Sequence, residues 1–336
     1  MSMPAGAVVP RMLAAWMVAM PFLFLLDNTL IFWFDWPGTR HFLVHLGLFS
    51  ENRSFPPLND PQLRLGWIQW MVSLSVCLVI SAAVVQGHGR DLRQDAVLYS
   101  RMAAFITRAA FWGVLLVGIT DMLISFLRIE GMLSVIVGEH LTTQLGRSIF
   151  RGTYVHFPLI LVAILITAFT RTLGFIWLAL LIVAAEFLIV LTRFVFSYEQ
   201  AFMGDLVRFW YAGLFLFASA YTLLHDGHVR VDVFYTNFSK RGKALTNAIG
   251  SLLLGLPLCW CILVYGMSGK GSIINSPLLS FEISQSGFGM YTKYLMAAYL
   301  LVFAVSMAIQ FVGFILSNLA DFRESSGSRE TVNPET

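Results

Sequence analysis

Long runs of apolar residues alternate with short polar segments along the whole chain. A helix needs roughly 20 mostly apolar residues to cross the hydrocarbon core of a bilayer, which is about 30 Å thick. Eight runs meet this requirement, and they predict membrane spans at 12–34, 65–85, 102–127, 154–170, 173–196, 206–224, 244–267 and 292–316. The pattern therefore indicates an all-α integral membrane protein with about eight transmembrane helices.

The composition supports this fold class. Of the 336 residues, 57% are hydrophobic and only 12% are charged, whereas a soluble domain carries about a quarter charged residues. The net charge of +3 is small, and the basic residues are scattered at helix ends. No basic stripe of the kind that binds nucleic acid is present, so we expect a lipid bilayer and no nucleic acid among the partners.

Basic residues in the loops predict the orientation, because cytoplasmic loops are enriched in lysine and arginine. The compact loop between the sixth and seventh spans contains Arg230, Lys240, Arg241 and Lys243. An even number of spans then places both termini on the same side as this loop. We therefore expect cytoplasmic N- and C-termini.

Three connections have the mixed apolar and polar pattern of segments that lie in the membrane interface. They are an amphipathic stretch at 133–145, a short aromatic-edged stretch at 197–205, and a longer one at 272–290. Residues 320–336 are polar, and this composition predicts a disordered cytoplasmic tail.

Ionisable residues inside membrane spans are candidates for function, because they are costly there. The predicted spans contain Asp27, Arg108, Asp121, His156 and Glu186. Glu186 is mid-span, where it is a candidate ion or proton relay; we favour instead a pair with a basic residue such as Arg108, or a hydrogen bond to a partner subunit. Asp27 and Asp121 lie near the outer ends of their spans, where we expect water or a partner to solvate them.

No cofactor, metal or catalytic site is predicted. His156 is the only histidine inside a span, whereas a membrane haem usually has two axial histidines. His41 and His45 have the i,i+4 spacing of metal ligands but no acidic or cysteine ligand beside them. The nucleotide-binding and hydrolase motifs are missing from the sequence as well.

Two polar motifs flank the sixth span. Asp205 and Arg208 open it, one turn apart on one helix face, and ordinary helix capping would explain the acid. Gly227, His228, Arg230 and Asp232 belong to the motif Gly-His-Val-Arg-Val-Asp that closes the span. Alternation in the last motif predicts an ordered extended turn, and we expect the substitution Arg230→Glu to weaken assembly with a partner.

These two motifs resemble sequence motifs of a known family of membrane proteins. Residues from about 173 to 316 resemble the small membrane subunit (Q-type) of TRAP transporters, the tripartite ATP-independent periplasmic transporters. That subunit has four helices; its second helix opens with acidic-x-x-Arg and is followed by a Gly-x-His-Ile-Arg-Val-Asp-like loop. Residues 282–291, with Lys293 and Tyr294, are similar to the segment before the family's fourth helix. The first acid of the family's frequent Glu-Glu pair is Gly204 here.

The resemblance implies an accessory scaffold subunit in a bacterial inner membrane. Its implied partners are a large membrane subunit, which moves the substrate by ion-driven symport, and a periplasmic binding protein, which delivers an organic-acid anion. No substrate site carries over to this chain. We expect a small-permease domain at 172–319 and, before it, a four-helix membrane extension at 1–171. The extension is either a degenerate second copy, as the echo of Gly87-His88 by Gly227-His228 suggests, or unrelated.

Two other functions stay open at this point. One is a membrane redox or enzyme subunit in which His156, His41 and His45 bind a cofactor. The other is a stand-alone ion-coupled carrier that uses Glu186 as its coupling carboxylate.

Overall fold

A computed structural model describes most of the chain, and its described part is helical without strands. The described residues are 8–49, 56–87, 89–172, 175–198, 201–224, 233, 235–284 and 289–323. Fourteen α-helices run through them: α1 (Val8–Phe34), α2 (Thr39–His45), α3 (Asp60–Gln86), α4 (Leu92–Ile129), α5 (Leu133–Val137), α6 (Glu139–Leu145), α7 (Ser148–Arg151), α8 (Phe157–Phe169), α9 (Phe175–Val195), α10 (Ala201–Leu224), α11 (Lys240–Gly250), α12 (Leu256–Gly266), α13 (Asn275–Ser280) and α14 (Lys293–Phe322).

The prediction of eight membrane spans is confirmed. Within the described ranges, eight helical segments are long and apolar enough to cross a bilayer. Most extend beyond the apolar runs, since the polar residues flanking a run continue the helix. The largest extension is in α4, which begins at Leu92, ten residues before the predicted span. The predicted span at 206–224 likewise begins earlier, because α10 starts at Ala201.

Proline shapes two of the spans by widening the turn before it. A π-helical turn at Gly152–His156 joins α7 to α8 and directly precedes Phe157 and Pro158. A second one at Ser251–Gly255 joins α11 to α12 before Leu256 and Pro257. Proline has no backbone N–H with which to continue the i→i−4 hydrogen bonds of the helix. The π-helical turn before each proline accommodates one extra residue within the helix.

The predicted interfacial segments are partly helical. Residues 133–145 form the two short helices α5 and α6. Among the described residues of the stretch 272–290, α13 is the helical part, and Phe281 ends it in a left-handed conformation (φ 50°). The prediction of a disordered tail at 320–336 is wrong for residues 320–322, which continue α14; from 324 onward the predicted tail lies outside the described residues.

The chain divides into two compact units. Unit 1 comprises Met1–Leu98, Asn237–Leu254 and Phe311–Ser326; unit 2 comprises Tyr99–Thr236, Gly255–Gln310 and Gly327–Thr336. This division follows spatial proximity, and the sequence boundaries at 171 and 319 stay predictions.

Unit 1 is built on the packing of α3 against α1 and α2. Phe42 of α2 is fully buried, and Gly66 of α3 makes room for its ring, since a Cβ there would lie 2.4 Å from it. At the other end of this unit, Arg11 donates to Asp95 at 2.6 Å and Arg93 donates to Asp321 at 2.6 Å. These ion pairs connect α1 and the end of α14 to the start of α4.

Unit 2 contains an apolar core to which α4, α9, α10 and α14 all contribute. Phe111, Leu178, Phe209 and Tyr299 are among its buried members. Trp210 of α10 donates from Nε1 to the carbonyl of Val114 at 3.3 Å, across Gly118, where a Cβ would lie 2.2 Å from the indole. The core thus fixes the spacing of α4 and α10, the helices that carry Asp121 and Asp205.

Candidate functional site

A buried carboxylate, Asp121 in α4, is the centre of a polar cluster in unit 2. Its Oδ1 accepts hydrogen bonds from Arg151 Nη1 at 2.9 Å and from His156 Nε2 at 3.0 Å. Its Oδ2 accepts from the backbone N–H of Tyr291 at 2.8 Å. The side chains of Asp121, Arg151 and His156 are all 0% exposed, so the three groups can be satisfied only by the protein.

Arg151 fixes several elements at once. Its Nε donates to the carbonyl of Leu145 at 2.9 Å, and its Nη1 also donates to Ser125 Oγ at 3.2 Å. Its guanidinium lies over the ring of Tyr291, 4.0 Å from the centroid, within range for a cation–π contact. The side chain therefore joins α4, the end of α6 and the segment before α14.

His156 connects the carboxylate to α14. Its Nδ1 lies 2.8 Å from Tyr294 Oη, and the two rings are nearly parallel. An ionised carboxylate only accepts hydrogen bonds, so we infer that Nε2 carries the proton toward Asp121 and that Nδ1 accepts from the Tyr294 hydroxyl. A neutral imidazole is thereby fully satisfied, while Arg151 compensates the charge of Asp121.

The π-helical turn brings Arg151 and His156 to the same oxygen. In a regular α-helix, residues five apart point about 140° away from each other. The wider turn at Gly152–His156 reduces this separation, and both side chains reach Asp121 Oδ1. Gly152 is required for close packing here, because a Cβ would lie 2.4 Å from the Phe281 ring and 3.0 Å from Tyr294 Oη.

A second carboxylate, Asp205 in α10, holds the same segment. Its Oδ2 accepts from the backbone N–H of Met290 at 3.1 Å, and its Oδ1 from Ser284 Oγ at 3.3 Å. Asp205 and Asp121 thus hold two consecutive backbone amides, those of Met290 and Tyr291. Ordinary helix capping, which would have explained Asp205 from the sequence, does not describe its place in the structure, because α10 starts four residues earlier and the carboxylate bonds Ser284 and Met290.

Further bonds fix the described residues near these two amides; we name residues 281–284 and 289–294 the anchored segment. Lys293 Nζ donates to Glu282 Oε1 at 2.5 Å, and the N–H of Tyr294 donates to the carbonyl of Glu282 at 3.0 Å. The hydroxyl of Tyr291 accepts from Arg128 at 2.5 Å and donates to the carbonyl of Gly146 at 3.1 Å. The anchored segment is therefore held from α4, from α10 and from Gly146, the residue that follows α6.

Unit 1 contains a simpler arrangement around Asp27 of α1. Asp27 Oδ1 accepts from the N–H of Thr39 at 3.0 Å, from Thr39 Oγ1 at 2.7 Å and from Gln69 Nε2 at 2.6 Å. Gln69 Oε1 in turn accepts from the N–H of Gly38 at 3.2 Å. Gly38 has φ 82° and allows the sharp entry into α2. Asp27 thus fixes α2 against α1 and α3.

The structure places the candidate residues from the sequence in different environments. Asp205 and Arg208 do come together, with Arg208 Nη1 3.6 Å from Asp205 Oδ1. Glu186 is exposed on the surface of α9, and the expected pair with Arg108 does not form. Gly227, His228, Arg230 and Asp232 all lie outside the described residues, so the ordered turn and the Arg230→Glu hypothesis stay predictions.

The expectation for Asp121 is wrong. We expected water or a partner to solvate it at the end of its span. The carboxylate is instead fully buried, and it pairs with Arg151, which is fully buried as well. Asp121 and His156 lie at a similar distance from the end of the span that carries each of them, and this similarity was visible in the sequence. Asp121 lies eight residues before the end of α4, and His156 lies eight residues after the start of α7 at Ser148. Antiparallel helices place such residues at the same level.

The cluster around Asp121 is suited to fixing structure. Every charged member is fully buried, so a solute cannot reach it, and its hydrogen bonds end on backbone groups of neighbouring segments. Over the residues that the structure describes, no three His, Cys, Asp or Glu side chains are placed to hold a metal ion. His41 forms a hydrogen bond to the carbonyl of Pro56 at 2.9 Å instead.

Comparison with known families gives a match for the C-terminal part of the chain. Residues 182–321 match the family described as "Tripartite ATP-independent periplasmic transporters, DctQ component". Searches of curated proteins and of solved structures gave no match. The matched range begins within α9 and ends at Asp321 in α14, and it contains Asp205, Arg208 and the anchored segment.

The match agrees with the helical architecture and with the resemblance at 173–316. The family is not an enzymatic one, which argues against the alternative of a redox or enzyme subunit. Helices α1 to α8 precede the matched range and are additional to it. The chain is therefore a multi-pass membrane protein that carries the DctQ small membrane component of a TRAP transporter, with extra N-terminal helices.

Proposed function

We propose that the chain is the accessory scaffold subunit of its transporter in a bacterial inner membrane. In this role it braces a large membrane subunit, which carries out ion-driven uptake of an organic-acid anion by symport. A periplasmic binding protein delivers the anion. The family match supports a tripartite assembly, and the distribution of ionisable groups in the structure supports the scaffold role.

The burial and the hydrogen bonds of Asp121 are the main observation that supports this proposal. A carrier needs polar groups that converge on an open site near the middle of the bilayer. Here Asp121, Arg151 and His156 are fully buried and bond one another, while Asp27 holds α2 in place. These in-span charges therefore hold helices and connecting segments together, as a scaffold requires.

The position of Glu186 argues against a stand-alone carrier. A coupling carboxylate faces the interior of its bundle or a water-filled cavity. Glu186 instead lies on the exposed surface of α9. We therefore expect that the purified chain alone, reconstituted in liposomes under a sodium or proton gradient, takes up no organic acid.

Co-purification tests the scaffold role directly. The chain is tagged and co-expressed with the large multi-span protein encoded beside it, and the complex is isolated in mild detergent. We expect the large subunit to be retained at a fixed ratio through size-exclusion chromatography. Recovery of the tagged chain alone, with the large subunit present in the same membranes, would contradict the proposal.

The anchored segment and Arg208 are proposed to contribute to docking of the binding protein. Both lie at the ends of helices that the predicted orientation places on the periplasmic side. Arg208 is 76% exposed, so its charge is available to an acidic surface, while Asp205 beside it holds the segment in place. A rigid segment with exposed charge favours recognition of a soluble partner.

Charge reversal at Arg208 tests this docking role. We expect Arg208→Glu to raise the binding-protein concentration for half-maximal uptake by roughly two- to fivefold, the effect of one exposed ion pair. Uptake is measured in liposomes that contain both membrane subunits. The matched control is Arg101→Glu, another exposed arginine, which the predicted orientation places at the cytoplasmic end of α4. Equal effects of the two substitutions would exclude a specific role for Arg208.

A further inference from the structure

Glu186 is placed where a membrane protein rarely leaves a carboxyl group. It is the twelfth of the 21 residues of α9, roughly 16 Å along the helix from Phe175 and roughly 13 Å from Val195. Its side chain is exposed, and the described part of the chain offers it neither a hydrogen bond nor an ion pair. A carboxyl in the middle of the bilayer is strongly unfavourable unless a polar group satisfies it.

The residues around Glu186 form a face suited to a helix. Ala179, Val183, Glu186 and Val190 follow the spacing i, i+4, i+7, i+11 and lie along one side of α9; we name these four residues the α9 stripe. Val183 is 65% exposed and Val190 is 50% exposed. Ala179 is a small side chain of the kind that allows two helices in a membrane to approach closely, and a polar group between such helices forms an interhelical hydrogen bond.

A separate side of α9 already serves the fold of unit 2. Leu178, Ile182 and Ala185 are buried and belong to the core that α10 and α4 share. Glu186 lies beside this buried face and turns away from it. The α9 stripe is thus a surface that the chain itself does not cover.

We propose that the α9 stripe binds a transmembrane helix of the large subunit, and that this helix carries a hydrogen-bond donor or a basic residue at the level of Glu186. The inference rests on the proposed scaffold function and identifies where on this chain the partner docks. The partner helix is expected to carry a donor or a basic residue because the Glu186 carboxyl, placed in hydrocarbon, requires a complementary donor.

A second copy of this chain would fit the α9 stripe poorly. Two copies inserted in the same orientation would pack their stripes around a two-fold axis. Each Glu186 would then face the other at the same depth, where two ionised carboxylates repel and neither offers a hydrogen-bond donor to the other. A helix with a different sequence avoids this repulsion, which favours the large subunit as the occupant.

Site-specific photo-crosslinking tests the position. A photoreactive phenylalanine analogue is introduced at Val183 or Val190 in the tagged chain, which is co-expressed with the large subunit. Control positions are Trp177 and Leu188, which are 66% and 48% exposed but lie on the other side of α9. We expect crosslinks to the large subunit from Val183 and Val190 and none from Trp177 and Leu188.

Each other outcome overturns the inference in its own way. If the large subunit co-purifies but crosslinks equally from both sides of α9, or from neither, the α9 stripe is not the docking site and the scaffold function stands. A crosslinked product of twice the mass of the chain would identify a second copy as the occupant. Failure of the large subunit to co-purify with the unmodified chain would overturn the scaffold function, and the inference with it.

Substitution of Glu186 tests the donor. We expect Glu186→Leu to increase dissociation of the large subunit on dilution in detergent by about three- to thirtyfold, the range expected for loss of one interhelical hydrogen bond. Glu186→Gln keeps an acceptor and should have a smaller effect. The control Leu188→Ala changes the other side of the helix and should leave dissociation unchanged. Unchanged dissociation of Glu186→Leu would show that the carboxyl has no partner in the large subunit.

The thermal unfolding of the isolated chain separates docking from folding. Glu186 makes no bond within the described structure, so Glu186→Leu should leave the unfolding midpoint of the isolated chain unchanged or slightly raised. A lowered midpoint would show that the carboxyl acts in folding of this chain and not in docking.

Discussion

Asp27 and Asp121 have equivalent places in the sequence and different surroundings in the structure. Asp27 lies seven residues before the end of α1, and Asp121 lies eight residues before the end of α4. Each accepts three hydrogen bonds, one of them from a backbone N–H. Asp27 accepts from the N–H of Thr39, the first residue of α2, and Asp121 accepts from the N–H of Tyr291, which precedes α14. Asp27 is partly exposed and its donors are all neutral, whereas Asp121 is fully buried and pairs with Arg151.

The difference shows how burial changes the role of the same side chain. Water at the membrane interface can replace a neutral donor to Asp27 with little loss, since exposed hydrogen bonds contribute modestly. Nothing can replace Arg151 beside Asp121, and removal of one member of a buried ion pair leaves an uncompensated charge. Asp121 should therefore be essential for the fold of unit 2, and Asp27 should act locally in unit 1.

The largest expected effect is that of breaking the buried ion pair. Asp121→Asn removes the charge that compensates Arg151, and we expect it to destabilise the protein by about 3–5 kcal/mol. Unfolding of the purified protein by denaturing detergent, followed by tryptophan fluorescence, measures the loss. Asp27→Asn is the matched control and should cause a much smaller change. Equal stability of Asp121→Asn and the unmodified protein would refute the role of the pair.

A double substitution sharpens the same point. Asp121→Leu combined with Arg151→Met removes both charges and keeps apolar volume, so most of the lost stability should return. If the double variant is as unstable as Asp121→Asn, the hydrogen bonds to Tyr291 and Ser125 matter more than charge compensation.

The next effect in size is that of the histidine. His156→Phe preserves a ring beside Tyr294 but removes the bonds to Asp121 and to the tyrosine hydroxyl, and we expect a loss of about 1–3 kcal/mol. Tyr294→Phe should have a smaller effect, because the ion pair keeps its geometry. The coupling between the two substitutions, taken from the double variant, should be positive; additive effects would show that His156 and Tyr294 act independently.

The smallest effect is expected at Asp27. Asp27→Ala should lower global stability by only about 1 kcal/mol, because water can reach its neutral donors. The local effect should be clearer: α2 loses its connection to α1 and α3, so hydrogen exchange at the Thr39 amide and proteolysis within 39–45 should accelerate. Asp27→Asn keeps the oxygen acceptor and is the control. Global unfolding of Asp27→Ala as severe as that of Asp121→Asn would remove the distinction between the two carboxylates.

The sequence predicted the helices well, because a hydropathy pattern depends on neighbouring residues alone. Each predicted span has a helix, and the i,i+3 contact of Asp205 with Arg208 follows from helix geometry. The pattern could not show that α4 continues to Leu92, since hydropathy measures the hydrocarbon thickness and not the end of a helix.

The partners of the carboxylates depend on tertiary contacts that hydropathy does not reveal. Asp121 and Tyr291 are 170 positions apart, and Asp205 and Met290 are 85 apart. Charge and depth alone would have suggested Arg151 and His156 as partners of Asp121. The backbone amides of Met290 and Tyr291 offer no such signal, because every residue except proline has an N–H.

The turn at Gly152–His156 makes the cluster depend on the number of residues as well as on their identity. A π-helical turn contains one residue more than the α-helical turn that it replaces. Deletion of a single residue between Gly152 and Phe157 would restore a regular helix and rotate Arg151 by about 100° relative to everything that follows. All the side chains of the cluster would still be present in the gene, but they would no longer face one oxygen atom. In an alignment of related chains, a one-residue gap at this point would therefore be as informative as a substitution of Asp121.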